Sequence, residues 1–204
     1  MAEIRAVLFD FGGVLAEEGF SNGLQRLAKE QGLNVDTITE SGMQAVYDSG
    51  FVLGKGSEAD FWALLRERTG LQGDDAFFRE QIFNAFVIRP WMLALVAKLG
   101  SRGYLTGILS DQVDWLDTLD ARDHFYSYFD HIYNSYYMGK GKRDPTHFTD
   151  VASDLGLPPA QILFIDDSER NVATAKSIGM QAIHYVDRQG FIKLLEERLD
   201  IEQH

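Results

Sequence analysis

Five short apolar segments, separated by helical segments, constrain the fold of this chain most. Residues 4–10, 104–110, 131–134, 162–166 and 181–185 are almost continuously apolar. This pattern is typical of strands in a parallel sheet that helices cover on both faces. Pro90 begins a helix that Gly103 ends, and we predict a further helix that Asp111 caps and that runs through Arg122. The alternation predicts an α/β fold with a doubly wound parallel sheet and a Rossmann-like core.

One stretch interrupts this alternation directly after the first strand. Residues 16–88 contain no convincing strand pattern, but helical patterns occur at 21–32, 36–49, 57–70 and 74–86. Ligands of α/β folds bind at the carboxyl ends of the strands, so an inserted set of helices is expected to cover the site as a cap. We therefore predict a core domain of residues 1–15 and 89–204 and a helical cap domain of residues 16–88. Six aromatic residues are predicted to form the core of the cap: Phe61, Trp62, Phe77, Phe78, Phe83 and Phe86.

Polar residues stand where the predicted strands end. They are Asp10, Ser110, Asp111, Asp166 and Asp167, and a glycine-rich loop adds Lys142. Because the carboxyl ends of parallel strands lie at one edge of the sheet, we expect Asp10, Ser110, Asp166 and Asp167 to converge, with Lys142 reaching in from its loop. Clustered carboxylates repel one another unless a cation lies among them. Carboxylate oxygens suit Mg²⁺, which also binds the phosphate oxygens of substrates, so these residues predict a magnesium site.

The composition limits the classes of partner. The 204 residues carry a formal net charge of -12, which disfavours nucleic acids and anionic membranes as partners. The chain has no cysteine, which excludes disulfides, thiolate zinc sites and thiol nucleophiles. No apolar run approaches the roughly 18 residues of a membrane span, and no signal-peptide pattern precedes the first strand. We therefore expect a cytoplasmic protein whose partner is a small molecule.

Four motifs, in order along the chain, resemble those of the haloacid dehalogenase-like (HAD) hydrolases. They are Asp10-Phe-Gly-Gly-Val, Ser110, Gly139-x-x-Lys142-x-x-Pro145-x-x-Phe148 and Asp166-Asp167-x-x-x-Asn171. The resemblance extends from Ile4 to about Tyr185, and the helical insertion is similar to the small cap of this family. It is greatest for the phosphatase branch that includes sugar-phosphate phosphatases and the N-terminal phosphatase domain of soluble epoxide hydrolases.

The resemblance implies a role for each matched residue. Asp10 would be the nucleophile and form an aspartyl-phosphate. Ser110, Asp111 and Lys142 would bind the phosphoryl group, and Lys142 would also neutralise charge on Asp10. The ligands of Mg²⁺ would be Asp10, Asp166 and the carbonyl of Gly12, with Asp167 acting through water or placing Lys142. The resemblance thus implies an Mg²⁺-dependent hydrolase that acts on a small phosphorylated metabolite.

Gly12 departs from the pattern of the family. Most of its phosphatases have a second Asp there, which protonates the leaving group and later activates water. Three interpretations stay open: a phosphatase that uses another acid, such as Glu17 or Glu18, a haloacid dehalogenase, or a catalytically weak binding or regulatory protein. The dehalogenases also lack the second Asp but need no metal, so the tandem Asp166 and Asp167 argue against them.

Overall fold

A computed structural model of the chain describes residues 2–199. Five parallel strands form one sheet in the order β3-β2-β1-β4-β5. The strands are β1 (Ala6–Phe9), β2 (Leu105–Ser110), β3 (His131–Asn134), β4 (Ile162–Asp166) and β5 (Gln181–His184). This confirms the predicted α/β fold with a parallel sheet. Within residues 2–199, no helix combines the length and apolar character needed to cross a membrane.

Ten α-helices accompany the strands in the described part of the chain. They are α1 (Gly19–Gln31), α2 (Val35–Asp48), α3 (Glu58–Thr69), α4 (Asp75–Ala85), α5 (Pro90–Ser101), α6 (Trp115–Asp123), α7 (Ser135–Met138), α8 (Pro145–Asp154), α9 (Glu169–Ser177) and α10 (Arg188–Arg198). The helix predicted from Asp111 is wrong at its start, since α6 begins at Trp115. The carboxylate of Asp111 accepts a hydrogen bond from the backbone of Lys142 instead of capping α6.

The central strand β1 is buried on both faces. Val7 and Phe9 join one apolar cluster with side chains of α5, α6 and α10, while Ala6 and Leu8 join a second cluster with α8 and α9. All four residues are inaccessible to solvent, which explains why the strand is continuously apolar. The chain first crosses from β1 to β2 on one side and later to β4 on the other side of β1. The strand order therefore reverses at the carboxyl end of β1. That point is where ligands bind in doubly wound sheets.

Helices α1 to α4 lie in the segment between β1 and α5, hereafter the insertion. Ser57 and Asp60 form a reciprocal capping box at the start of α3. Helix α1 approaches α4 closely at Gly23, where a Cβ atom would lie 2.6 Å from Cα of Ile82. Apolar side chains of the insertion belong to the same cluster as one face of the sheet. The division into a core domain and a cap domain therefore stays a prediction.

The aromatic core predicted for the insertion is largely present. Phe61, Trp62, Phe78 and Phe86 are buried, and Phe83 is partly buried. The prediction is wrong for Phe77, which is 45% exposed. The buried residues of α4 are Phe78, Ile82 and Ala85, and Phe77 points about 100° away from Phe78, outside that face.

Candidate active site

Asp10 lies at the carboxyl end of β1, where its backbone N–H continues the ladder to the carbonyl of Ile165. Its Oδ1 accepts hydrogen bonds from the hydroxyl of Ser110 at 2.6 Å and from the backbone N–H of Phe11 at 2.7 Å. Its Oδ2 lies 2.7 Å from Nζ of Lys142. Contacts from two segments far along the chain, together with the adjacent backbone, thus fix the orientation of this carboxylate, which still lines an open cavity.

Lys142 joins two carboxylates in the interior. Its Nζ is 2.7 Å from Oδ2 of Asp10 and 2.7 Å from Oδ2 of Asp166, and the side chain is 2% exposed. Burial alone would lower the pKa of Lys142, but the charges of Asp10 and Asp166 outweigh it and raise that pKa. Lys142 therefore stays an ammonium group, because losing its proton would leave two buried carboxylates without a counter-charge.

The two carboxylates differ in their surroundings. Burial raises the pKa of Asp10 well above its ordinary value, although Lys142 opposes that shift. Burial acts in the same direction on Asp166, but Lys142 and hydrogen bonds from Ser168 and Asn171 hold its pKa below the ordinary value. Asp166 is thus an anion in the hydrogen-bonded network, whereas the ionised form of Asp10 would be stabilised most by additional positive charge nearby.

The residues present fit a divalent cation. Asp10, Asp166 and Asp167 each offer a carboxylate oxygen within 4.8 Å of the others. One lysine neutralises only part of this charge, and burial together with Asp166 raises the pKa of Asp167. In addition, Oδ1 of Asn171 is buried with no hydrogen-bond partner among residues 2–199. An all-oxygen set with excess negative charge is the chemistry that Mg²⁺ prefers.

Gly12 and Gly13, which follow Phe11, differ in the space around them and in backbone conformation. Gly13 has φ of 79° and lies against Asp167, so that a Cβ at this position would overlap the Asp167 carboxylate. Gly12 is outside the left-handed region, and a Cβ there would meet Phe86, Glu18 and Gln112 at 3.5, 3.7 and 3.8 Å. These are ordinary contact distances. A Cβ at Gly12 therefore fits, whereas Gly13 is required for the close approach of Asp167.

Glu18 lies beside Gly12, the position at which the chain departs from the motif that it resembles. It lines the cavity with Asp10 and Gly12, and its Oε1 is the carboxylate atom 3.7 Å from the Cβ position of Gly12. Its Oε2 caps α1 by accepting from the N–H of Ser21 at 2.7 Å. Burial raises the pKa of Glu18. Glu17, by contrast, forms a two-pronged ion pair with Arg89 and is not part of the cavity lining.

Asp111 contributes to the site differently from what the sequence predicts. Its Oδ1 accepts from the backbone N–H of Lys142 at 2.8 Å, and its Oδ2 accepts from the hydroxyl of Tyr47 on α2. The carboxylate therefore holds the Lys142 loop and links it to the insertion. Only the main chain of Asp111 is suited to contact a phosphate, since a carboxylate repels one. Its phosphate-binding role stays a prediction.

Arg143 completes this link. Its guanidinium lies 3.5 Å from the centre of the Tyr47 ring, and Nη2 lies 3.4 Å from the carbonyl oxygen of Met43. Gly141 permits the arrangement, because a Cβ there would come within 3.1 Å of both Asp111 and the Tyr47 hydroxyl. The loop that carries Lys142 is thus fixed from the side of the insertion as well as from the sheet.

A cavity of about 290 Å³ opens above Asp10. The predicted site residues that line it are Asp10, Gly12, Ser110, Asp111, Lys142 and Asp167. Asp166 is buried and does not line it. Sequence reasoning missed further residues that line it: Phe20, Met43, Val46, Tyr47, Val52 and Trp115. Met43, Val46 and Tyr47 recur at helical spacing on α2, which indicates one face but not what that face covers.

Comparison with known proteins identifies the family. A model of the haloacid dehalogenase-like hydrolases matches residues 4–179. Bifunctional epoxide hydrolase 2 of Rattus norvegicus is 26% identical over 216 residues, covering 95% of this chain but 38% of that protein. A sesquiterpene phosphatase of Aspergillus oryzae is 26% identical over 189 residues, with 90% of each chain covered. This chain therefore spans less than half of the first relative and nearly all of the second.

Solved structures agree with this result. A HAD family enzyme of Bacteroides thetaiotaomicron, in complex with magnesium and inorganic phosphate, is 27% identical with a TM-score of 0.65, covering 92% of this chain and 96% of that one. L-2-haloacid dehalogenase of Xanthobacter autotrophicus has the same TM-score at 22% identity, with 95% and 83% covered, a likeness of fold alone. With its four motifs gathered at one edge of the sheet and a family match over most of its length, this chain belongs to the haloacid dehalogenase-like hydrolases.

Proposed function

We propose that this hydrolase is a Mg²⁺-dependent phosphatase of small phosphate monoesters that acts through an aspartyl-phosphate on Asp10. The observation that carries the proposal is the geometry of that residue: a buried carboxylate, oriented by Ser110 and Phe11 and paired with Lys142, faces a cavity. The relatives named above include a phosphatase and an enzyme crystallised with magnesium and phosphate, and both support the proposal.

In the first step, a carboxylate oxygen of Asp10 attacks phosphorus, the phosphorus–oxygen bond to the leaving alcohol breaks, and an acyl phosphate forms. Lys142 offsets the negative charge that Asp10 and the phosphoryl oxygens bring together. The Ser110 hydroxyl, which donates to Asp10 in the free site, would turn to donate to a phosphoryl oxygen. Water then attacks phosphorus, releases inorganic phosphate and restores the Asp10 carboxylate. Such chemistry depends mainly on positioning and charge stabilisation.

A bound Mg²⁺ would be held by Asp10, Asp166 and Asp167, with the carbonyl of Gly12 as a further ligand, and would neutralise charge on the phosphoryl oxygens. The grouping of the three carboxylate oxygens supports this assignment. Asp166 has a second role that does not depend on the ion. Its hydrogen bonds from Ser168 and Asn171 keep it anionic, so that it holds the Lys142 ammonium at the distance found here.

We assign to Glu18 the role of protonating the leaving group. It is the cavity-lining carboxylate next to Gly12, and the pKa raised by burial favours its protonated form. Protonated Glu18 would give its proton to the departing alcohol oxygen and, as a carboxylate, take one from the attacking water. General acid–base catalysis of this kind is worth about 10²–10⁴-fold. This assignment favours a phosphatase over a catalytically weak binding protein.

The test measures release of phosphate and of chloride in parallel, with and without Mg²⁺. Wild-type protein should release phosphate from 4-nitrophenyl phosphate only with Mg²⁺ present and should release no chloride from 2-chloropropionate. Asp10→Asn should abolish phosphate release, because an amide is a far weaker nucleophile than a carboxylate. Beryllofluoride, a mimic of the acyl phosphate, should attach to wild-type protein but not to this variant.

Metal-independent chloride release would favour the dehalogenase alternative and contradict the proposal. Undiminished phosphate release by folded Asp10→Asn protein would contradict the proposed nucleophile. Asp111→Asn is a useful comparison, because it changes a carboxylate of the same cavity that contacts the Lys142 backbone and Tyr47 but has no proposed covalent role.

A further inference from the structure

We propose that the preferred substrates are phosphate monoesters whose leaving group is an apolar ring or chain rather than a sugar or polyol. The inference rests on the proposed phosphatase function and adds the class of leaving group. It depends on the apolar side chains that line the cavity, four from the insertion and two from the segment after β2, hereafter the apolar wall. Its residues are Phe20, Met43, Val46, Val52, Val113 and Trp115.

The apolar wall consists of side chains that cannot solvate hydroxyl groups. Val46, Val52, Val113 and Trp115 are nearly inaccessible to solvent and line the cavity with packed aliphatic and aromatic surface. Met43 is 42% exposed on α2 and adds a flexible thioether. A leaving group with several hydroxyls would lose water against this surface without gaining partners, whereas an apolar group would gain burial.

The hydrogen-bonding atoms of Tyr47 and Trp115, two of the lining residues, are already engaged. The hydroxyl of Tyr47 donates to Asp111, and the indole N–H of Trp115 donates to Glu58 at 3.2 Å. The Tyr47 ring is also covered by the Arg143 guanidinium. Trp115 therefore offers ring surface to a ligand rather than a donor, and the Tyr47 hydroxyl is not free to donate to one. Sites that bind polyols need the opposite arrangement, since specificity for hydroxyls comes from unpaired polar groups that the substrate satisfies.

The decisive experiment compares cyclohexylmethyl phosphate with glucose 6-phosphate. Both carry the phosphate on an exocyclic methylene of a six-membered ring, so both leaving groups are primary alcohols that need protonation. They differ in the ring oxygen and the four hydroxyls. Wild-type protein with Mg²⁺ should hydrolyse cyclohexylmethyl phosphate with kcat/KM at least about tenfold higher, the order of discrimination expected for apolar pockets.

Met43→Gln tests the wall itself. The substitution keeps the length of the side chain and adds an amide on an exposed helical face, and it should reduce the ratio of the two kcat/KM values severalfold. Met138→Gln is the matched control, because Met138 is similarly exposed at 37% but does not line the cavity. Its ratio should equal that of wild type.

Glucose 6-phosphate hydrolysed as well as or better than cyclohexylmethyl phosphate would overturn this inference and leave the phosphatase function intact. A protein that hydrolyses neither ester nor 4-nitrophenyl phosphate would contradict the phosphatase function instead. In that case the affinities of Asp10→Asn protein for the two esters, measured by calorimetry, decide the matter. Tighter binding of the cyclohexylmethyl ester supports the apolar wall, and equal or weaker binding overturns it.

Discussion

Replacing Glu18 with Gln should separate substrates by how much their leaving group needs a proton. For an alkyl ester such as cyclohexylmethyl phosphate, kcat/KM should fall about 10²–10⁴-fold, the usual contribution of a positioned acid. For 4-nitrophenyl phosphate the loss in the first step should be below about tenfold, because 4-nitrophenolate leaves without protonation. The fold should persist, since the Gln carbonyl can still accept from the N–H of Ser21. The cap it preserves is worth about 1 kcal/mol.

The pH dependence has a defined sign. Glu18 must be protonated to act as an acid, and burial raises its pKa, so alkyl-ester turnover should fall as pH rises through that pKa. The pH profile of the Glu18→Gln variant should lack this decrease. Glu17→Gln is the matched control. Glu17 pairs with Arg89 outside the cavity lining, so its change should leave the ratio of alkyl to aryl turnover as in wild type.

A carboxylate introduced at Gly12 provides the converse test, in which the lost activity is regained. The Cβ that Gly12→Asp adds meets no atom closer than 3.5 Å, and Gly12 has no left-handed φ, so the backbone accepts a side chain there. Added to Glu18→Gln, it should recover alkyl-ester turnover by at least tenfold, whereas Gly12→Asn should not. A general-acid role for Glu18 is refuted if folded Glu18→Gln protein keeps the wild-type ratio of alkyl to aryl turnover, or if Glu17→Gln lowers that ratio equally.

Three further changes test other parts of the site. Asp166→Asn should weaken Mg²⁺ binding at least about tenfold by calorimetry, because the site loses ligand charge; unchanged affinity would remove Asp166 from the ligand set. Lys142→Met leaves two buried carboxylates unpaired and should lower the free energy of unfolding by about 3–5 kcal/mol in urea titrations, with added Mg²⁺ restoring part of it. Tyr47→Phe should lower kcat severalfold by releasing Asp111 and the Lys142 loop, while Tyr137→Phe, which removes a similar bond to Asp117, should not; equal effects would contradict a positioning role for Tyr47.

The sequence by itself determines the sheet and the positions at its edge. A strand buried on both faces must be continuously apolar, so β1, β2 and β4 are recognisable without tertiary information. The polar residue that ends each strand is then placed by topology alone. This explains why Asp10, Ser110 and Asp166 are predicted together and why the structure brings them within hydrogen-bond contact of one another or of Lys142.

The tertiary structure alone decides what stands opposite that edge. Helical periodicity shows that one face of α2 carries Met43, Val46 and Tyr47, but its direction depends on how α1 to α4 pack. The same limit applies to Glu17 and Glu18, which are adjacent in sequence and equivalent in chemistry. One pairs with Arg89 and the other enters the cavity. Side chains at the ends of strands are fixed by backbone hydrogen bonds, whereas those of the insertion are fixed by contacts between segments distant in sequence, which a local pattern does not encode.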